Sequence, residues 1–303
     1  MVYRTKLILL TTIIGLLMLV LAGTVVFDPD RVSSKNSAFA WLDSKDLTRI
    51  DTIDITGPSS TVNLHKTGDS WSVVRNGSVY PAKESRVEDL IRILARTDSY
   101  PVYSSTASAQ GRLGLDPDSA SKISIRAGES PILDLFLGSA DAAGTGRFMR
   151  KNGSDEIRSG QDKLSGYVES SFPSWCNLRL FPDTLAPDSV QQLSITGADR
   201  TFVLARNQHA WNLGDSPADS QKVDSYLRSL LSAEAEDFDS DPGVLLDEYR
   251  ITIESGTGTV QTLFVGPLSD DNQCSVAVSG TPYRYRMSGW TRSRLLKNSE
   301  DFQ

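Results

Sequence analysis

The sequence predicts an α+β protein: an N-terminal transmembrane helix, then two homologous domains, each an antiparallel sheet with one main packed helix. Three observations carry this expectation. Leu7 to Phe27 runs for 21 residues without a charge. Further along, short stretches of alternating apolar residues are closed by Gly-containing turns, the pattern of antiparallel strands. The same order of elements then occurs twice. Leu135-Phe136-Leu137-Gly138 returns as Leu263-Phe264-Val265-Gly266, and Ile123-Ser124-Ile125 as Ile251-Thr252-Ile253, both 128 positions later.

The apolar N-terminal stretch is long enough to span a bilayer. At about 1.5 Å per residue it makes a helix of roughly 31 Å, against a hydrocarbon core of about 30 Å. Arg4 and Lys6 precede it, and Asp28 and Asp30 follow it. Positive charge on the short side places the N-terminus inside and residues 28–303 outside the cytoplasm. Cleavage is the competing reading. A signal peptide carries a shorter apolar core, the small-x-small triplet Ala38-Phe39-Ala40 lies well beyond the stretch, and Thr24 stands where a lipoprotein box needs Cys. The expectation is an uncleaved anchor, with membrane lipid contacted through Leu7 to Phe27.

The expected division is a cytoplasmic tip and anchor over 1–27, a stalk over 28–47, a first repeat over 48–171, an ordered connector over 172–188 and a second repeat over 189–303. Each repeat opens with strands: Ile53, Ile55, Val62, Leu64, Trp71 and Val73 in the first; Leu193, Ile195, Phe202, Leu204, Trp211 and Leu213 in the second. Trp71 and Trp211 stand 140 positions apart. A helix follows. Val87, Leu90, Ile91 and Leu94 form one apolar stripe, matched at an offset of 136 by Val223, Tyr226, Leu227 and Leu230. Ser220 is the expected N-cap of the second helix. About four further strands come next, with Gly138 and Gly266 expected to end the central one. A short helical segment closes each copy, roughly 161–171 and 290–298. Offsets that change only at turns indicate duplication of a whole domain rather than a short solenoid unit.

Charge excludes one class of partner. The net charge is −7, the sequence pI about 5.0, and no basic run exists, so nucleic acid is not an expected partner. Two cysteines, Cys176 and Cys274, are too few for a disulfide scaffold and wrongly spaced for zinc. If they paired, the closed loop would be worth roughly 4.7 kcal/mol in the chain-entropy model. Two separate buried thiols are the other reading.

The strand run LTRIDTIDITGPSSTVNLHKTGDSWSVV, the Pro81-Ala82 helix start, the LGLD…ISI…LFLG series and the junction WCNLRLFPDTLAPDSVQQLSI together resemble a known family. It is the uncharacterised bacterial domain-of-unknown-function family encoded beside ABC-type permeases and gliding-motility-type auxiliary subunits. The resemblance covers about residues 40–290. It implies an envelope protein of the bacterial cytoplasmic (inner) membrane, accessory to an ABC transporter. Its motifs are structural, and it brings no functional residues.

Signatures of chemistry are missing from the local sequence. No G-x-S-x-G elbow, dinucleotide fingerprint or P-loop occurs. His65 on a strand and His209 in a turn have no local partner. Asp237, Asp239, Asp241 and Glu248 take positions 1, 3, 5 and 12 of a calcium loop. Pro242 sits at the sixth position, where a residue tolerating positive φ is needed, so the stretch reads as a solvated acidic loop. Trp71 and Trp211 read as core residues rather than the walls of a ligand groove. RYRM (284–287) with TRSRLLK (291–297) is the one basic concentration, read as a solvated face. No catalytic, metal or cofactor-binding residue and no cofactor is expected, and the chain is not expected to be an enzyme. The functional expectation is an extracytoplasmic interaction scaffold for a membrane-protein partner such as an ABC permease or auxiliary subunit. The alternative is a binding module for an envelope polymer or small ligand held in the inter-domain cleft.

Overall fold

The computed structural model describes residues 38–208, 210–239 and 247–303, with positions 15, 17 and 18. Apart from those three positions, the expected anchor over Leu7–Phe27 lies outside the described residues, as do His209, Asp241 and Pro242. Among the described residues no helix is long and apolar enough to cross a membrane. Two compact units are present. The first takes described residues up to Arg75 and Glu84–Ser171, and the second takes Asn76–Lys83 and Phe172–Gln303.

The first half of the chain supplies β1 (Ala38–Phe39), β2 (Thr52–Thr56), β3 (Thr61–Thr67), β4 (Ser70–Arg75), β5 (Ser78–Pro81), α1 (Glu84–Ala95), β6 (Asp98–Ser99), β7 (Val102–Ser104), α2 (Ala109–Arg112), β8 (Ser121–Ala127), β9 (Ser130–Ala140), β10 (Gly146–Lys151), β11 (Ile157–Gln161) and α3 (Ser165–Val168). β1 pairs with β6, and the others form a nine-stranded sheet in the order β5-β4-β3-β2-β8-β9-β10-β11-β7. Alternation does what its period requires. Ile53, Ile55, Val62, Leu64, Val73, Ile123, Ile125, Leu133, Leu135 and Leu137 are all buried, and α1, beside β4, buries Val87, Leu90 and Leu94.

The second half repeats the scheme with β12 (Val190–Gly197), β13 (Thr201–Asn207), β14 (Ala210–Leu213), β15 (Ser216–Pro217), α4 (Ser220–Leu231), β16 (Asp237–Phe238), β17 (Tyr249–Ser255), β18 (Val260–Val265), β19 (Gln273–Val278), β20 (Arg284–Ser288) and α5 (Gly289–Leu295). Its sheet runs β15-β14-β13-β12-β17-β18-β19-β20-β16, the same order strand for strand. Its ladder pairings are antiparallel throughout. α4 buries Val223, Tyr226, Leu227, Leu230 and Leu231.

Several expectations need correction. Residues 38–47 are no stalk. Trp41 and Leu42 are buried, and both their amides donate to the Leu94 carbonyl at the end of α1. The N-cap of α4 is Asp219, not Ser220. Asp219 is extended and accepts from the amides of Gln221 and Lys222, whereas Ser220 is already helical and its Oγ accepts from the Trp211 amide at 3.0 Å. Gly138 does not end β9, which continues to Ala140, while Gly266 does follow the last residue of β18. β9 is also buried on its other face. Phe136 packs there with Ala109, Leu113, Leu115, Phe148 and Ile157, a second small core under α2.

The stretch read as a connector is built into the second unit. Trp175 is fully buried, Ala235 donates its amide to Leu178 at 2.8 Å, and Leu180 donates to Ala233 at 3.1 Å. Asn76 and Gly77 both have positive φ, the backbone of a type I′ hairpin turn, which Asn-Gly suits best.

Cys176 and Cys274 are both buried thiols of the second unit. Burial pushes the Cys274 thiol up to about 11. The folded state therefore favours the neutral thiol. Its contribution to stability is present below the usual thiol value of 9.0 and is lost as pH rises toward about 11. An aromatic disulfide reagent at pH 8 is expected to leave the native chain unlabelled and to modify both thiols after denaturation. Prompt native labelling, or a reduction-sensitive shift on a gel, would contradict this.

Candidate functional site

The duplicated tryptophans belong to the core and anchor the start of each helix. The Trp71 amide donates to the Glu84 carboxylate at 2.7 Å, and the Trp211 amide to Ser220 Oγ at 3.0 Å, so the first residue of each helix receives the same strand amide. The Trp211 indole is 1% exposed, donates Nε1–H to Asp224 at 3.0 Å and lies 4.7 Å beneath the Arg206 guanidinium.

The acidic pattern is dispersed among protein partners. Asp237, read as solvated, is buried in β16 and accepts from Arg286 at 3.0 Å. Asp239 accepts from Ser275, and Glu248 pairs with Arg292. Among the described residues no group of three or more His, Cys, Asp and Glu side chains is placed to hold a metal ion. His65 is exposed on β3.

The basic concentration divides in two. Arg286 and Arg292 are held by Asp237 and Glu248. Arg294 and Lys297 instead face α4 across an open groove of about 970 Å³. Lys222, Ser225 and Arg228 line the helix side, and Asp301 lines the C-terminal side. At the groove, the buried Tyr226 hydroxyl donates to the Leu295 carbonyl, and its ring lies 5.3 Å from that of Phe302. Burial raises the Tyr226 hydroxyl far above the usual tyrosine range, so this residue stays neutral.

Beside the groove, α5 presents an exposed aromatic side chain. Trp290 is 66% exposed, and the Arg294 guanidinium stacks 4.6 Å from its ring. The neighbouring loop between β18 and β19 carries the exposed Leu268. Hydrogen bonds lace that loop to α5: Gly289 donates its amide to Asn272 at 2.8 Å, and Arg292 Nε donates to Gly266 at 3.3 Å. Neither the groove nor this end was legible in the sequence. The nearest signal was the basic concentration at 284–297, which gives no indication of which cations have carboxylate partners.

No curated protein and no solved structure matches the chain. One family model does, the domain of unknown function DUF4340. Its match begins at Trp71 in the first copy and ends at residue 244 in the second. At residues 71–244 it covers more than half of the 303-residue chain, which therefore belongs to the DUF4340 family.

Proposed function

We propose that the chain is a non-catalytic scaffold, anchored in the bacterial cytoplasmic membrane through Leu7–Phe27, with residues 28–303 outside the cytoplasm. In this reading it is an accessory component of an ABC-type transport system and docks a permease or auxiliary subunit. The resemblance to a family encoded beside such permeases supports the partner class. The observation that carries the docking is Trp290, a large aromatic side chain left 66% exposed on a laced, ordered element. Exposed tryptophans held by a rigid frame are the type of residue that dominates interface energetics.

The edge strands argue for side-chain docking over strand addition. β15 and β16 are two residues each, and β15 includes Pro217. Short, proline-bearing edges are poor templates for another chain's backbone. Pull-down of the full chain from mild detergent is therefore expected to recover transporter subunits. Trp290→Ala with Leu268→Ala should abolish that recovery, with a change in folding stability within about 0.5 kcal/mol, because both side chains are exposed. Recovery of the wild-type chain alone, under conditions that keep other membrane complexes intact, would overturn the proposal.

A further inference from the structure

We infer that the groove between α4 and the C-terminal segment of the second unit binds a phosphoryl group carried on an organic scaffold. The inference does not depend on the docking role of Trp290.

The first argument is the state of the charges. Three carboxylates line the groove, and each is engaged by the protein. Asp219 accepts from the amides of Gln221 and Lys222 as the N-cap of α4. Asp224 accepts from Trp211 Nε1 at 3.0 Å and from Arg206 at 3.3 Å. Asp301 accepts from the Asn298 amide at 2.8 Å. Three of the four cations, Arg228, Arg294 and Lys297, have no carboxylate partner among the described residues. Lys222 donates to the backbone oxygen of Gln303, and Arg294 donates to Ser229 Oγ at 3.3 Å and stacks on Trp290. Arg228 and Lys297 also line the groove. The three aspartates offset part of this positive charge, and a bound anion that joins the guanidinium and ammonium groups offsets the rest.

The second argument comes from the duplication. At an offset of 136, Lys222, Ser225 and Arg228 correspond to Arg86, Asp89 and Arg92. In the first unit these positions are internally satisfied. Arg92 pairs with Asp89 one turn away, while Arg86 donates to the Gly166 carbonyl at 2.6 Å and lies over the Tyr167 ring. In the second unit Ser225 stands where Asp89 would be, and Arg228 loses its helical partner. On this helix face a hydroxyl thus stands beside Arg228 where the first copy has a paired carboxylate.

The ligand class follows from the donors. Two guanidinium forks, two ammonium groups and the hydroxyls of Ser225 and Ser229 suit the several acceptor oxygens and the double negative charge of a phosphoryl group. A single carboxylate would leave most of them unused. The volume, about 970 Å³, exceeds what a bare ion fills and lies at the upper end of small-ligand sites. The indole of Trp290, held by Arg294, offers an apolar face at the margin.

The test is calorimetric titration of the full chain in non-ionic detergent with glycerol 3-phosphate, with inorganic phosphate, and with micelles carrying phosphatidylglycerol or phosphatidylcholine. Binding of glycerol 3-phosphate or of phosphatidylglycerol, weakening with added salt, is the expected result. The first identifies a soluble phosphoester, and the second without the first identifies an anionic lipid headgroup. Arg228→Gln with Lys297→Gln should weaken binding at least ~10-fold. Arg92→Gln, on the corresponding face of the first unit, should leave it unchanged. Thermal midpoints of the free variants establish that they are folded. The inference is overturned if neither ligand binds the wild-type chain, or if the folded double variant binds as tightly as wild type. Inorganic phosphate binding as tightly as glycerol 3-phosphate would overturn the organic scaffold.

Discussion

Trp211→Ala is expected to lower the stability of the second unit by about 3–5 kcal/mol, the range for removing a buried tryptophan. Three losses act together. The indole is 1% exposed, so its removal leaves a cavity under the sheet face that α4 covers. Asp224 loses the Nε1–H donor, and the Arg206 guanidinium loses the ring beneath it. A half-buried carboxylate then depends on Arg206 for its remaining contact. Trp211→Phe separates these terms. It keeps much of the apolar volume and removes the donor, so it is expected to cost about 1–2 kcal/mol more than the lost ring area alone. The measurement is the urea midpoint of the chain, read as the transition that moves, because two units need not unfold in one step. A loss below about 1 kcal/mol for Trp211→Ala would show that this tryptophan is not part of the cooperative core.

Gly57→Ala should be the most disruptive single-methyl change in the first unit. A Cβ at Gly57 would lie almost on the Val168 carbonyl oxygen and 2.9 Å from its carbonyl carbon. The obstacle is backbone at the end of α3, where Val168 is itself buried. Rotating a side chain cannot relieve it, so either the β2–β3 turn or α3 must move. Overpacking of this kind costs about 1–3 kcal/mol, occasionally more. Gly197 is its counterpart 140 positions later, at the end of β12. There the obstacle is mainly the Tyr249 ring on the adjacent strand, and a ring can turn. Gly197→Ala is therefore expected to lose less stability than Gly57→Ala. Thermal midpoints of the two variants decide the matter, and an equal or reversed order would refute the argument.

Both glycines show where local reading stops. The Thr-Gly pair was visible at 56–57 and again at 196–197, and its position at a turn followed from the strands on either side. What forbids a side chain at each position comes from elsewhere in the chain, from Val168 in one copy and Tyr249 in the other. The helix stripes tell the same story from the favourable side. Val87, Leu90 and Leu94 were expected inside and are inside, because a period of 3.6 is a property of the chain itself. The stalk reading of residues 38–47 failed because Trp41 and Leu42 dock on the last turn of α1, about fifty residues away, and sequence spacing says nothing of that contact. The acidic loop failed likewise. Asp237 looked like a solvated carboxylate until β16 paired with β20 and set it beside Arg286.

By itself the sequence determined the duplication, the order of the main strands and of the long helix in each copy, and the identity of most core residues. These follow from the local periods of 2 and 3.6 and from turn chemistry, which act within a dozen residues. Tertiary structure alone decided which charges remain without a carboxylate partner. Lys222 and Arg228 meet Arg294 and Lys297 only because α4 and the C-terminal segment fold against one another, through the Tyr226 hydroxyl on the Leu295 carbonyl and the Asp219 amide on the Phe302 carbonyl. Charge is local to a residue, but its neutralisation is a matter of distance in space, and that distance is set by packing.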